Sequence, residues 1–474
     1  MEHNPVLAWG RWLAETPDSW PESALESAHR QFIDIIAVLI PGMVEPVTRH
    51  VLATVRGWGA GPATVPGEDG GLAAPWAALV NGTAAHALDF DDNFDPAKAH
   101  ATAVLVPAIL ALAEQEGASG RACLDAYIAG LQILGRVGQG VNPPHRNRGW
   151  HATATVGAIG AAAAAARLLR LPAAEAGYAL SLATSMAAGF MSQFGTMAKP
   201  LHAGLAAKSG VLAASLARSG VDAGLDTFDG PTGMNRLMVG PDYEQLRDGL
   251  THIEHGQNLR FETAKPGEPL LILANGFRVK RFPNCGSAHR AMDAVLELRE
   301  RHGFTAADVA AIDVHAPKTH LNNLMYTDPQ DALQAKFSLE YGVAVVLQSG
   351  NCTLADFTDV MVQRPDVRAL FARIHRHPVD KAEGEFPTRV VVTLTDGQRL
   401  ETAVSMPVGS LAAPFTIEQY WRKFHGCLQG IVAEAAGQEI HNALADLPNL
   451  ANLTPLMQPL RRGLKLADVA GTRS

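Results

Sequence analysis

Cysteine is scarce in this chain: Cys123, Cys285, Cys352 and Cys427 are the only four, widely separated and without a C-x-x-C pair. That usage excludes a disulfide framework and a cysteine zinc site, and it fits reduced thiols in the cytoplasm. Charge is sparse too, at 18% of residues, with 39 basic against 47 acidic side chains and a formal net charge of −8. No long Lys/Arg run is present and the pI is ≈ 6.1, so nucleic acid and a membrane surface are poor partners. An anionic ligand must then be held by a local basic site working against the overall sign. Aromatic residues make up only 6%, which argues against a β-sandwich. The first residues, Met1-Glu2-His3-Asn4-Pro5, lack a basic segment followed by an apolar one, so no targeting peptide is expected. Also missing are G-x-x-x-x-G-K-[ST], a dinucleotide fingerprint after a strand, H-E-x-x-H and G-x-S-x-G.

What is abundant is apolar and small. Hydrophobic residues reach 47% and glycine is frequent, a composition suited to closely packed helices in an enzyme-sized protein. Ala24, Ala28, Phe32, Ile35 and Leu39 recur at helical spacing and predict a helix over 19–40, with Ser19 and Pro21 at its start and Pro41-Gly42 at its end. Similar patterns predict helices near 74–88, 102–115, 119–137, 152–169, 173–190 and 202–219. Two stretches, 149–166 and 176–198, carry no formal charge, yet their Ser, Thr and Gly content reads as central helices rather than membrane spans. The pattern changes near Lys265-Pro266-Gly267-Glu268-Pro269. Beyond it a helix is predicted over 287–301 with Ser287 as cap, a strand over 309–315, a hairpin of 389–395 and 399–404 turning at Asp396-Gly397, and helix again over 415–440. The expected architecture is mainly α: a first helical part over 1–270, an α+β part over 271–410 and a C-terminal segment over 411–474 that could rejoin the helical part.

The densest polar cluster runs from Asp89 through Asp91, Asp92, Asn93 and Asp95 to His100. Four carboxylates so close suit a hard cation or the orientation of basic groups, although a solvated acidic loop has the same composition and the EF-hand positions of Gly and Glu are not matched. His100 and His151 each stand at the mouth of an uncharged helix, where an imidazole either faces a ligand or is a satisfied structural residue. Lys199 follows a long uncharged segment and must pair with an anion, lose its charge or snorkel from a helix end. Lys280 and Arg281 offer fixed cations for substrate carboxylates, with the thiol of Cys285 nearby but no base beside it in sequence. Tyr341 lies on an amphipathic stretch, compatible with either core or site. His, Lys, Asp, Tyr and Arg without a cofactor signature suit proton movement beside carboxylates.

Five ordered motifs, Asn81-Gly82 through His100, Gly149-Trp150-His151, Ala198-Lys199-Pro200-Leu201-His202, Lys280-Arg281-Phe282-Pro283 and Phe337-Ser338-Leu339-Glu340-Tyr341, together resemble the MmgE/PrpD family. The resemblance implies a large all-helical domain completed by the C-terminal segment, an inserted smaller α+β lid, a site between the two, a homodimer and no metal or organic cofactor. Matched to the pattern of the family's decarboxylases, Asp89, His100, His151, Lys199 and Tyr341 fall on catalytic positions. Lys280 falls on the second lysine of that pattern, and with it Arg281, His202, Asn93 and Cys285 are candidates for binding substrate. Asn93 and Cys285 depart from that pattern, standing where the decarboxylases have Thr and His. The implied activity is a cofactor-independent lyase, of dehydratase or decarboxylase type, acting on a small di- or tricarboxylate. An epimerase of the iminodisuccinate type and a non-catalytic carboxylate-binding homodimer are the alternatives, with a divalent-metal enzyme built on Asp89, Asp91, Asp92 and Asp95 behind them.

Overall fold

The computed structural model describes residues 4–462 apart from 382, 383 and 385, together with residue 464. The protein is mainly α, with a small mixed sheet. It divides into two compact units, one comprising Met1–Phe277 with Thr416–Ser474 and the other Arg278–Phe415.

The larger unit is helical, apart from a short strand β1 (Ala60–Ala63). Helix α1 (Glu22–Gly42) is buried on every side from Ile33 to Gly42, and Pro41 falls in its last turn. Helix α2 (Ala74–Ala87) starts with Pro75 in its first turn, where the missing N–H has no helical partner to lose. Helices α3 (Thr102–Glu116), α4 (Gly120–Val141) and α5 (Ala152–Leu168) follow. Every residue of α5 from Ala152 to Ala166 is buried, including the whole run Ala161–Ala166. Such burial without bulky side chains requires backbones in near contact. A methyl group on Gly210 would come within 2.3 Å of the Ala161 side chain. Among the described residues no single helix is long and apolar enough to cross a membrane.

Helix α6 (Ala173–Thr184) is shorter than the periodicity predicts, and it covers only the first part of the uncharged stretch 176–198 expected as a central helix. Residues 185–197 form an irregular segment in which Phe190 and Met197 are about half exposed. Absence of charge marked this segment as apolar, but it is not a helix interior. Helix α7 (Ala198–Arg218) then crosses α2 so closely that a methyl on Gly204 would lie 2.2 Å from the Leu79 carbonyl oxygen.

In the smaller unit α8 (His289–His302) ends at Gly303 in the left-handed conformation, but Ser287 is not its cap, because a 3-10 turn over Gly286–Ala288 precedes it. Strand β2 (Val309–Pro317) and helix α9 (Leu339–Ser349) are followed by β3 (Ile374–Val379), β4 (Thr388–Leu394) and β5 (Arg399–Val404). The sheet order is β3-β2-β4-β5, with β2 and β3 parallel and the remaining pairs antiparallel. Ile312, Val314, Val390 and Val392 share its buried face and join Met292, Val295, Leu298 and Val346 of α8 and α9 in one apolar core. The opposite face carries Asp313, His315 and His377, as the two-residue repeat of a strand requires.

The C-terminal part is two helices where one was predicted, α10 (Ile417–Leu428) and α11 (Glu434–Ala445). Gly430, at φ 78°, sits in the break. Helix α10 packs on α1, where Lys423 pairs with the buried carboxylate of Asp34 at 2.8 Å and donates to the Phe90 carbonyl at 2.8 Å. A final helix, α12 (Thr454–Arg462), closes the described chain apart from residue 464.

Candidate active site

The close crossing of α2 and α7 brings the end of one helix beside the start of the other. Immediately after α2, Asp89 adopts φ 53°, a left-handed turn that short polar side chains tolerate better than most. Its carboxylate accepts a hydrogen bond from Lys199 Nζ, on the first turn of α7, at 2.6 Å. Both groups are about 8% exposed, so the lysine has found its anion inside the protein. Lys199 Nζ also lies 5.5 Å from the centre of the Phe194 ring.

Two residues later the chain presents Asp91, and this carboxylate faces imidazoles. His86 Nδ1, on the last turn of α2, is 3.0 Å from both Asp91 oxygens. His100 Nδ1 is 3.1 Å from Oδ2. Asp91 is thus the carboxylate of the acidic motif that meets these two imidazoles, while Asp89 is tied to Lys199. Burial works against the Asp91 anion, yet the two imidazoles outweigh it and hold the carboxyl well below its ordinary range. His86 is lowered to about 4, mainly by burial, with Lys199 and His100 adding to the effect and Asp91 opposing it. These directions correspond at pH 7 to a neutral His86 donating its Nδ1 hydrogen to an anionic Asp91.

Asp92 turns the other way. Fully buried, it accepts from the Thr102 N–H at 3.3 Å through Oδ1, while Oδ2 has no partner among the described residues. Burial first, and the adjacent Asp91 charge second, push its carboxyl up to about 8. Asp95 lies 3.9 Å from the exposed His255. The four carboxylates of the acidic motif therefore diverge into different environments. The donor atoms of His86, Asp89, Asp91 and His100 do gather within 4.8 Å of one another, a spacing open to a cation, and there the lysine ammonium supplies a positive charge.

His151 is the residue just before α5. Its backbone N–H donates to the Gly189 carbonyl at 3.0 Å, and Met191 N–H donates to the Gly149 carbonyl at 2.7 Å, so the irregular segment after α6 clamps it. Gly189 has φ 155°, and any side chain there would strike Ala154 at 2.5 Å and approach the His202 ring at 3.3 Å. The Nδ1 atoms of His151 and His202 are 2.9 Å apart. Two facing ring nitrogens need one hydrogen between them, so one imidazole donates and the other accepts. Burial, with Lys199 among the like charges, lowers the pKa of both rings, His151 far more than His202. The pair is neutral at pH 7. His86 and His151 ring centres lie 6.3 Å apart, joining the two histidine pairs into one polar cluster.

Four of the sequence candidates thus converge in the larger unit with Asp89: His100, His151, Lys199 and His202. Asn93 lies half-buried in the loop leading to His100. The remaining four belong to the smaller unit. Lys280 is buried, and Arg281 pairs with Asp293 at 3.0 Å. Cys285 packs partly buried against the apolar core, its N–H donating to the Lys336 carbonyl at 2.9 Å. Tyr341 lies in that core, with its hydroxyl donating to the Asp356 carbonyl. Sequence reading passed over His86. Its place five residues before Asp91, on the helix that opens the acidic motif, was the available signal.

Residues 11–246 match the MmgE/PrpD N-terminal domain, and residues 282–448 match the MmgE/PrpD C-terminal domain. Among curated proteins, the cis-aconitate decarboxylase of Aspergillus terreus (strain NIH 2624 / FGSC A1156) is 27% identical over 97% of this chain and 96% of its own length. The cis-aconitate decarboxylase of Mus musculus is 27% identical over 84% of this chain and 80% of the relative, and that of Homo sapiens 28% over 81% and 79%.

Proposed function

Because the chain belongs to the MmgE/PrpD family, we propose that it is a lyase, of decarboxylase or dehydratase type, acting on a small di- or tricarboxylate without an organic cofactor. The observation that supports this most directly is the grouping of a buried ammonium, Lys199, with the paired rings of His151 and His202 and with His100. Loss of CO₂ leaves electron density on carbon that must be stabilised and then protonated. Loss of water requires a proton to leave carbon beside a carboxylate while the departing hydroxyl gains one. Either path needs a fixed cation at a carboxylate and a proton carrier at carbon, in a site that limits access of water. Lys199 supplies the charge. His100, 13% exposed and backed by a carboxylate, suits the proton carrier. His151 and His202, held neutral, suit orienting the substrate through hydrogen bonds. Lys280 and Arg281 are further candidates for substrate carboxylates, Lys as a point charge and Arg as a two-oxygen clamp. Kinship with decarboxylases of cis-aconitate makes that acid the first substrate to try.

The test is proton NMR of the purified protein in D₂O with cis-aconitate, citrate and 2-methylcitrate supplied separately. New vinyl signals, with or without CO₂ release, are expected from at least one acid. Deuterium exchange into an unchanged carbon skeleton, or no change in any sample, would overturn the lyase reading.

A further inference from the structure

In the function proposed above Asp91 serves only as the carboxylate behind His100, yet it is fully buried with two imidazoles against it. Its side chain is 0% exposed, as is that of His86. A carboxylate accepts and cannot donate, so burial at this depth requires hydrogen-bond donors around it. His86 Nδ1 sits 3.0 Å from both oxygens, which fixes the plane of the carboxylate. His100 Nδ1 approaches Oδ2 at 3.1 Å, with its ring centre 4.3 Å from that of His86.

We propose that Asp91 is the positioning residue of His100, with His86 locking the carboxylate so that the three side chains work as one imidazole–carboxylate–imidazole array. This assignment rests on His100 being the proton carrier of the proposed lyase. The geometry supports it in three ways. Contact through Nδ1 favours the tautomer with hydrogen on Nδ1, so that the lone pair of the neutral ring lies on Nε2. When His100 takes up a proton, its new charge forms 3.1 Å from a buried anion and is stabilised there. His86 does not compete for that proton, because it is fully buried and its Nε2 has no partner among the described residues. The backbone helps hold the array, with His100 N–H donating to Thr153 Oγ1 at 3.1 Å and Thr102 N–H to Asp92 Oδ1 at 3.3 Å. The Nδ1 hydrogen of His100 is not aimed squarely at Asp91 here, an arrangement that commonly tightens when substrate binds. The titratable groups around His100 are Asp91, His86 and His151, with Lys199 and its partner Asp89 beside them.

Two measurements test the array on the full-length protein. The first is independent of turnover: NMR of histidines labelled with ¹⁵N, His100 being identified by its loss in His100→Gln. The expected result is hydrogen on Nδ1 of His100 in the unaltered protein, and in Asp91→Asn a titration of His100 shifted down by about one pH unit or more. The second uses whichever acid the protein turns over. Asp91→Asn should lower kcat at least ~100-fold with KM changed less than threefold, and should move the acid limb of the rate profile to lower pH. Asp91→Glu should recover part of the rate. His86→Gln, which keeps a hydrogen-bond donor, should shift the limb less than His86→Phe, and these variants carry the test if Asp91→Asn does not fold. Hydrogen on Nε2 of His100, or an Asp91→Asn variant whose His100 titration is unchanged, would overturn the proposal even if the protein proves to be a lyase. A protein with no turnover on any acid would instead remove the functional reading and leave the NMR result standing.

Discussion

Two histidine–aspartate pairs in this protein have nearly the same contact distance and opposite settings. In the helical unit His86 meets Asp91 at 3.0 Å with both side chains 0% exposed; on the sheet of the smaller unit His377 meets Asp313 at 2.7 Å with exposures of 43% and 27%. The sheet pair has further company. His315 stacks on His377 at 4.5 Å, and Arg389 lies 3.2 Å from His315 and pairs with Glu401. By inventory alone the sheet cluster is as rich as the helical one. Water makes the difference. On the sheet it screens each charge, and the pair contributes little to stability. In the helical unit burial lowers the pKa of His86 and His151 and raises that of Asp92, while the imidazoles against Asp91 overcome its burial and lower it. The proposed chemistry is therefore assigned to the buried cluster, and several changes would test that contrast.

The largest effect is expected from Lys199→Met, which leaves the Asp89 carboxylate buried without its closest cation. Stability should fall by about 3–5 kcal/mol, as when one partner of a buried ion pair is removed. Turnover should drop by ~10²-fold or more through loss of fixed charge. Urea unfolding and steady-state rates on the same preparation measure both, and a near-normal rate would detach Lys199 from the chemistry.

Acid should unfold the protein through the same cluster. Between pH 6.5 and about 4 an unfolded His86 binds a proton that the folded one refuses, so its contribution is complete above pH 6.5 and is lost on descending toward 4. That contribution is roughly 3 kcal/mol for His86, with His151 and His145 (lowered by burial to about 3) acting in the same direction. Asp91 adds a loss below the ordinary carboxylate range. Tm measured across pH 7 to 5 should fall, and the fall should lessen in a His86→Gln variant.

Asp92 has the opposite sign. Its folded carboxyl titrates near 8 while the unfolded one titrates near 3.8, so the folded state holds an extra proton between those values and stability declines as pH rises through them. Asp92→Asn, neutral at every pH, should be more stable than the parent at pH 8 by roughly 2–4 kcal/mol, with the gain shrinking toward pH 4. Denaturation at the two pH values reads the difference.

The smallest effect belongs to the other side of the comparison. Asp313→Asn on the sheet should change stability by less than about 1 kcal/mol and leave turnover unchanged. A loss comparable to that of Lys199→Met would mean that the sheet cluster is functional after all.

Much of the helical framework was legible because its signals are local. The spacing of apolar residues locates Ala74–Ala87, Thr102–Glu116 and the end of His289–His302 within a few residues. Strand β3 was missed because Ile-His-Arg-His-Pro-Val has no apolar alternation of its own, and it pairs with β2 in parallel as an edge strand. Residues 185–197 were misjudged because lack of charge describes an exposed irregular segment as well as a buried helix.

The amino-acid sequence by itself determined where the reactive groups stand along the chain. His100 and His151 at the mouths of uncharged helices were readable, because those helix boundaries follow from neighbouring residues, whereas the helix expected over 202–219 starts at Ala198 and so takes in Lys199. Which group meets which was decided only by tertiary structure. The left-handed turn at Asp89 sends that carboxylate to Lys199 and the next one, Asp91, to His86 and His100. Pairing and burial are set by contacts between residues as far apart as Asp89 and Lys199, and no local pattern encodes the water that those contacts remove.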